Sequence, residues 1–275
     1  MPSRFRVVTD STADVPAEWC ERYGIEVVPL RVIFGDESFR DRVDLTVGEF
    51  FDRLRRTDRL PTTSAPSPGD FAEVYERLSR ECDGVVSIHI SGELSATVEA
   101  ARVGARSLPG FPVHVLDSRC LTVCVAYLCR TAAEAGTLEE AVRLVEERVP
   151  RQRILALLDT LRYLEMGGRI GKARALLGAV LDVKPILGIG DGKVEPLDRV
   201  RTRARAVPRL VELLRSDLPV ERLAVMHAQA PEVAERIRAE LAGEIGGVQV
   251  DVGEIGAVLG THTGPGTVGL AYIKR

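Results

Sequence analysis

The chain has 275 residues, 45% of them hydrophobic but only 5% aromatic, and a formal net charge of −3. That length suits two modest α/β domains better than one large core, and those cores must be built mainly from aliphatic side chains. So small a charge gives no global electrostatic reason to bind nucleic acid or an anionic membrane, and nothing in the composition points to disorder.

Short apolar runs alternate with longer stretches of helical period, which predicts an α/β protein. The opening Met1-Pro2-Ser3-Arg4 passes at once into a buried strand over Phe5–Thr9, so no signal-peptide apolar segment is expected. Asp10-Ser11-Thr12 can cap a helix that starts near Pro16. Ile25–Phe34 and the residues around Phe39 predict a hairpin turning at Gly35-Asp36. Thr46 with Glu49 forms a capping box that opens a helix through Thr57, and Ser67-Pro68-Gly69-Asp70 opens another toward Cys82. Strands follow at Val85–Ile90 and Val113–Leu116, with helices over Ser95–Ser107, Arg119–Ala135 and Leu138–Val149. The pattern restarts after Pro150-Arg151-Gln152, which sets domains at 1–150 and 151–275. In the second half Ile154–Leu158 reads as a strand, and the Gly167-Gly168 break precedes a helix ending near Leu181. Pro185–Arg201 reads as a hairpin turning at Asp191-Gly192. Helices are expected over Thr202–Leu214 and Pro231–Leu241, and strands near Leu223–Met226 and Val248–Val252.

The cysteines Cys20, Cys82, Cys120, Cys124 and Cys129 form no C-x-x-C pair and leave one over in any pairing, which reads as buried thiols in a reduced, cytoplasmic chain. The longest apolar stretch, Leu121–Cys129, is too short to span a bilayer, so no stable membrane insertion is expected. Gly264-Pro265-Gly266-Thr267-Val268-Gly269 matches G-x-G-x-x-G, but the chain given ends six residues on, with no room for the rest of a dinucleotide fold. Gly167-Gly168-Arg169-Ile170-Gly171-Lys172 hints at a P-loop, yet Ala173 stands where a magnesium-binding hydroxyl belongs. The four histidines show no metal-ligand spacing, and no H-E-x-x-H or G-x-S-x-G occurs. No catalytic residue, metal or cofactor is therefore assigned.

Two groups of polar loop residues remain. Thr62-Thr63-Ser64-Ala65-Pro66-Ser67 and the Ser91–Ser95 turn put hydroxyls and backbone donors just before helices, which suits an anion as well as ordinary capping. Arg169, Arg201, Arg203 and His262 stand in glycine-flanked loops or next to a hairpin strand. Arginines placed so can clamp a phosphate or simply be solvated. His89, His114 and His227 lie in or beside strands and read as structural.

In order along the chain, Asp10-Ser11-Thr12-Ala13-Asp14, Thr63-Ser64-Ala65-Pro66-Ser67-Pro68-Gly69-Asp70 and Leu94-Ser95-Ala96-Thr97 resemble the DegV family. So do Asp117-Ser118, Leu158-Asp159-Thr160-Leu161 with Gly167-Gly168-Arg169-Ile170-Gly171, Lys184-Pro185-Ile186-Leu187, Arg201-Thr202-Arg203 and Gly260-Thr261-His262-Thr263-Gly264-Pro265-Gly266. The resemblance implies an N-terminal parallel-sheet α/β domain plus a smaller C-terminal α/β sandwich domain. It implies a bacterial lipid-binding protein that presents a long-chain fatty acid to a separate fatty acid kinase subunit, on the route to phospholipid precursors. By the same resemblance Thr63 and Ser95 hold the carboxylate, while Arg169, Arg201 and His262 stand at the phosphoryl end. Glu93, where the family pattern differs, would put a negative charge near that carboxylate. Two other readings stand beside it: phosphotransfer through His262, and carriage of another amphiphile such as a retinoid or quinone.

Overall fold

The structure, a computed structural model, describes residues 5–177 and 183–275. β1 (Phe5–Asp10) is an apolar strand buried on both faces, as a central parallel strand must be. Asp10 caps a 3-10 turn over Ser11–Ala13 by accepting from Thr12 N–H, so this segment caps that turn and not α1 (Ala17–Tyr23), whose N-cap is Pro16. The apolar run after Gly24 splits in two. β2 (Ile25–Val28) joins the parallel sheet, while β3 (Arg31–Phe34) hairpins through Gly35-Asp36 onto β4 (Glu37–Arg40). α2 (Val47–Arg56) opens with the Thr46/Glu49 capping box, β5 (Thr62–Ser64) pairs with β3, and α3 (Pro68–Leu78) opens with a Ser67/Asp70 box. β6 (Gly84–His89), α4 (Thr97–Arg106), β7 (Val113–Asp117), α5 (Val123–Ala133) and α6 (Leu138–Arg148) complete this part. The order β2-β1-β6-β7 is parallel throughout, and β4-β3-β5 is a small antiparallel sheet beside it. α5 starts at Val123 and not at Arg119, because Arg119 and Thr122 both take positive φ, 51° and 53°.

The second domain is one mixed sheet. Its elements are β8 (Gln152–Leu157), α7 (Arg162–Met166), β9 (Lys184–Gly190), β10 (Lys193–Val200), α8 (Arg203–Arg215), β11 (Val220–His227), α9 (Pro231–Leu241), β12 (Val250–Glu254), α10 (Ala257–Thr263) and β13 (Val268–Lys274). The order is β10-β9-β8-β13-β11-β12, antiparallel except for the β11–β12 pair. The β9–β10 turn has positive φ at both Asp191 (50°) and Gly192 (80°), the geometry that a two-residue hairpin needs. The helix expected after Gly167-Gly168 is replaced by α7 before the break and a 3-10 segment over Gly171–Leu176 after it. The remainder of that expectation, toward Leu181, falls in 178–182, outside the described residues. β13, absent from the expected elements, runs through the middle of the sheet between β8 and β11.

The sheet's two faces follow the two-residue period of a strand. Leu155 and Leu157 pack with Leu210 and Leu214 of α8 and Ile237 of α9 in one core. Ile154 lies on the other side, in a core shared with Val86 and Ile88 of β6, Ala271 and Ile273 of β13, and α5. α5 is apolar all round and buries eight of its eleven residues between the two sheets, which is why its sequence lacks a polar stripe. Cys120, Cys124 and Cys129 are buried, and all five cysteines are free thiols.

Candidate functional site

Between the strand ends of the parallel sheet and the inner face of the second sheet runs a cavity of about 970 Å³ counted out to its mouth. About 180 Å³ of it is open space and the rest lies against the walls, so the cavity is narrow. Leu30, Ile90, Leu94 and Leu121 wall it from the first domain. Ile154, Ala156 and Leu158, alternate residues along β8 and its exit, wall it from the second with Leu187, Ile189 and Val194. α10 adds Val258 and Leu259.

Six polar side chains reach the lining: Thr12, Thr63, Ser95, Arg169, His262 and Thr263. Two are already committed, since Thr12 donates to the Asp10 carboxylate and the Thr263 hydroxyl donates to Leu259 O at 3.1 Å. The other four converge from four separate loops or elements. Thr63 sits in β5 opposite Val32, facing inward, while Thr62 and Ser64 are exposed. His262 follows Val258 by four residues, so α10 turns both to the cavity. α10 is anchored where Gly256 N–H donates to Asp14 at 2.9 Å, and Arg42 and Thr122 bind the same carboxylate, each at 2.7 Å. Burial raises the Asp14 carboxyl in spite of Arg42. At Gly260 the helix lies so close to α2 that an added Cβ would come 2.9 Å from Phe50 and 3.0 Å from Phe51.

Thr63 Oγ1 and His262 Nε2 are 2.9 Å apart, joining residues 199 positions apart in sequence. Burial and the nearby Arg169 charge push the His262 imidazole down to about 4, so the ring is neutral at neutral pH. Its Nδ1 is buried without a partner, and a Cβ added at Gly167 would overlap that atom. With the proton on Nε2, His262 donates to the Thr63 oxygen and leaves the Thr63 O–H free to donate to an anion. Arg169 is exposed at the rim, donating from Nε to Leu94 O at 3.2 Å and from Nη1 to Gly167 O at 2.8 Å. Ser95 Oγ accepts from Thr97 N–H at 3.3 Å and lies 2.8 Å from Thr97 Oγ1.

The structure brings Thr63, Ser95, Arg169 and His262 to one cavity, but not Arg201, which lies exposed just before α8. Its neighbour Arg203 binds Asp159 at 2.8 Å and Gly266 O at 2.6 Å, tying the glycine-rich loop to the exit of β8. Glu93 does not line the cavity; it is exposed and pairs with Lys193 at 3.1 Å, which answers its charge locally. Gly167 and the Leu94 carbonyl escaped the sequence reading. A paired glycine flanked by an arginine was the only signal for the first, and the second carries none.

The DegV family model, described as a family of uncharacterised proteins, matches residues 4–275. The chain belongs to the DegV family. A DegV domain-containing protein of Streptomyces coelicolor is 40% identical over 284 residues, covering 100% of both chains. The solved DegV family protein of Thermus thermophilus, described by its fatty acid binding, is similar with a TM-score of 0.92 and 35% identity, over 99% of this chain and 100% of that one. Bacillus subtilis DegV, described as a fatty acid binding protein, gives a TM-score of 0.90 and 33% identity over 99% and 100%. Among the described residues no helix is long and apolar enough to cross a membrane.

Proposed function

We propose that this DegV protein is a cytoplasmic carrier that buries one long-chain fatty acid and presents its carboxylate to a separate fatty acid kinase, without catalysing the transfer itself. The observation that carries this reading is a single narrow, aliphatic cavity ending in four polar side chains, two of them hydroxyls with donors to spare. Burying a methylene is worth about 0.8 kcal/mol, so a tail of about 16 carbons offers on the order of 12 kcal/mol before ordering costs. A buried, unpaired carboxylate would cancel much of that gain, and donors from Thr63 and Ser95 offset the loss. Because they do so without a salt bridge, the oxygens stay nucleophilic.

Presentation is supported by what flanks the polar end. One recess is lined by Glu93, Ser95, Arg169 and Lys193, and another by Thr63, Tyr163, Met166 and His262. Met166 is 61% exposed there, an apolar surface suited to a partner. Charge developing on a transferred phosphoryl group lies beyond the carboxylate, where Arg169 and His262 act. Arg201 belongs to the presented surface and not to the cavity. The division at 1–150 and 151–275 then places the carboxylate hydroxyls on one domain and the phosphoryl-end residues on the other.

Phosphotransfer through His262 is disfavoured because Nε2 is held by Thr63 and the unpartnered Nδ1 is buried against Gly167, closed to a phosphoryl donor. The narrow cavity favours a slender tail over a ringed amphiphile. Purified protein should carry an acid of about 14 to 18 carbons, a ligand in the range that such pockets hold. Arg169→Ala and His262→Ala should keep that acid yet slow acyl-phosphate formation by the kinase, measured with ATP and labelled fatty acid. Loss of acid from both variants would move them into the carboxylate site, and unchanged turnover in both would contradict presentation.

A further inference from the structure

The two ends of the cavity differ. The polar end lies beside Leu158, which shares a small core with Leu164 and with Ile170, the neighbour of Arg169. Moving back along β8, Ala156 and then Ile154 continue the lining, at about 6.6 Å for each pair of residues. β9 runs antiparallel with Leu187 opposite Ala156 and Gly188 opposite Leu155, which brings Ile189 beside Ile154 at the far end.

Ile154, Gly188 and Ile189 line this cavity and also line a second cleft behind it. These residues therefore stand between the two spaces. The second cleft is roomier, about 1740 Å³ counted out to its mouth against about 970 Å³ for the first. It is also more polar than the first, with Arg119, Gln152, Arg153, Asp191, Glu195 and Asp217 around it. Gln152 is 5% exposed and its Oε1 is buried without a partner, so an alkyl tail entering there would meet polar groups it cannot satisfy.

We infer that Ile154 and Ile189 form the end stop of the acyl cavity and set the longest tail this chain accepts, a reading that rests on the carrier function proposed above. Affinity then climbs about fourfold per methylene while the tail still finds apolar wall. It falls once the terminal methyl meets the stop, because a longer tail must displace a packed side chain to reach a space where buried polar groups stand among the apolar ones. Paring Ile189 to a methyl breaches the wall, and an overlong tail passes into the cleft without a clash.

The test is a competition series of saturated acids, on the order of 10 to 24 carbons, against a fluorescent acid on wild type, Ile189→Ala and Ile189→Phe. Wild type should show one best length, with acids two carbons longer bound about tenfold more weakly. In Ile189→Ala that penalty should vanish and affinity should level off with length beyond the wild-type optimum. Ile189→Phe, which keeps the site filled, should move the best length to shorter acids. A terminal alkyne on a long acid should react with an azide reagent in the Ile189→Ala complex and stay inert in the wild-type complex. The same best length in all three proteins, with the alkyne equally inert, would overturn the end stop while leaving the carrier reading intact. Binding of no acid by any of them would overturn the carrier reading and the end stop with it.

Discussion

His89 lies inside the parallel sheet with both ring nitrogens engaged, whereas His262 lies at the polar end of the cavity with one nitrogen unpaired. His89 Nδ1 is 3.0 Å from Asp10 Oδ2, and its Nε2 is 2.7 Å from Ser87 Oγ, which in turn is 2.7 Å from the Tyr75 hydroxyl. Asp10 also accepts from Ile90 N–H and Thr12 N–H, each at 3.0 Å, so one saturated network fixes the ends of β1 and β6. His262 has Thr63 as its partner, while its Nδ1 faces the Gly167 backbone. A saturated buried network has no capacity left for a ligand and acts through stability. A half-satisfied one beside a cavity keeps capacity for something that arrives. The residue type is the same, and the neighbours decide the role.

That contrast breaks most visibly under His89→Ala. Leaving Asp10 and Ser87 buried without their partner should cost about 3 kcal/mol or more of unfolding free energy, read by denaturant melts. His262→Ala should cost far less in the ligand-free protein, and an equal loss would erase the distinction. Next in size is Gly167→Ala, whose new methyl pushes the imidazole off Thr63. It should cost about 1–3 kcal/mol in stability, by denaturant melts, and like His262→Ala should keep the fatty acid bound while slowing acyl-phosphate formation. Thr63→Ala and Ser95→Ala should each weaken binding by about 1–3 kcal/mol while moving the ligand-free melting point little.

The smallest effect is one of pH. The folded His262 pKa lies below its unfolded value, so the unfolded chain binds the extra proton between about 6.5 and 4. Stability is therefore full above pH 6.5 and declines as pH falls toward 4. The ring is only half-buried, and solvent screening holds the loss to about 1–2 kcal/mol. His262→Gln should flatten that decline in acid melts. Titration of the His262 ring by NMR should also show its pKa rising when an anionic carboxylate binds beside it, and no rise would separate the ring from the ligand.

Much of this architecture is legible in local chemistry. The capping boxes at Thr46/Glu49 and Ser67/Asp70 are present as expected, and the apolar runs at Phe5 and Val85 are the two central parallel strands. What stayed hidden is non-local. β5 is three polar residues that become a strand only by pairing with Arg31–Ile33, some thirty positions earlier. The Val268–Ile273 run of β13 has strand composition, but its place between β8 and β11 depends on partners far away in the chain. Within β8 every residue from Ile154 to Leu157 is apolar, so the sequence alone does not say which of them face the cavity and which face α8. The Thr63–His262 contact spans two domains, and only the family resemblance had put both residues at one ligand.

A crystal structure of the protein with a bound saturated fatty acid tests the central claim most directly. The carboxylate oxygens should lie at about 2.5–3.2 Å from the Thr63 and Ser95 hydroxyls, with the terminal methyl against Ile154 and Ile189. A carboxylate found instead in the rear cleft beside Arg119 and Arg153, with the tail reversed or outside the cavity, would contradict it.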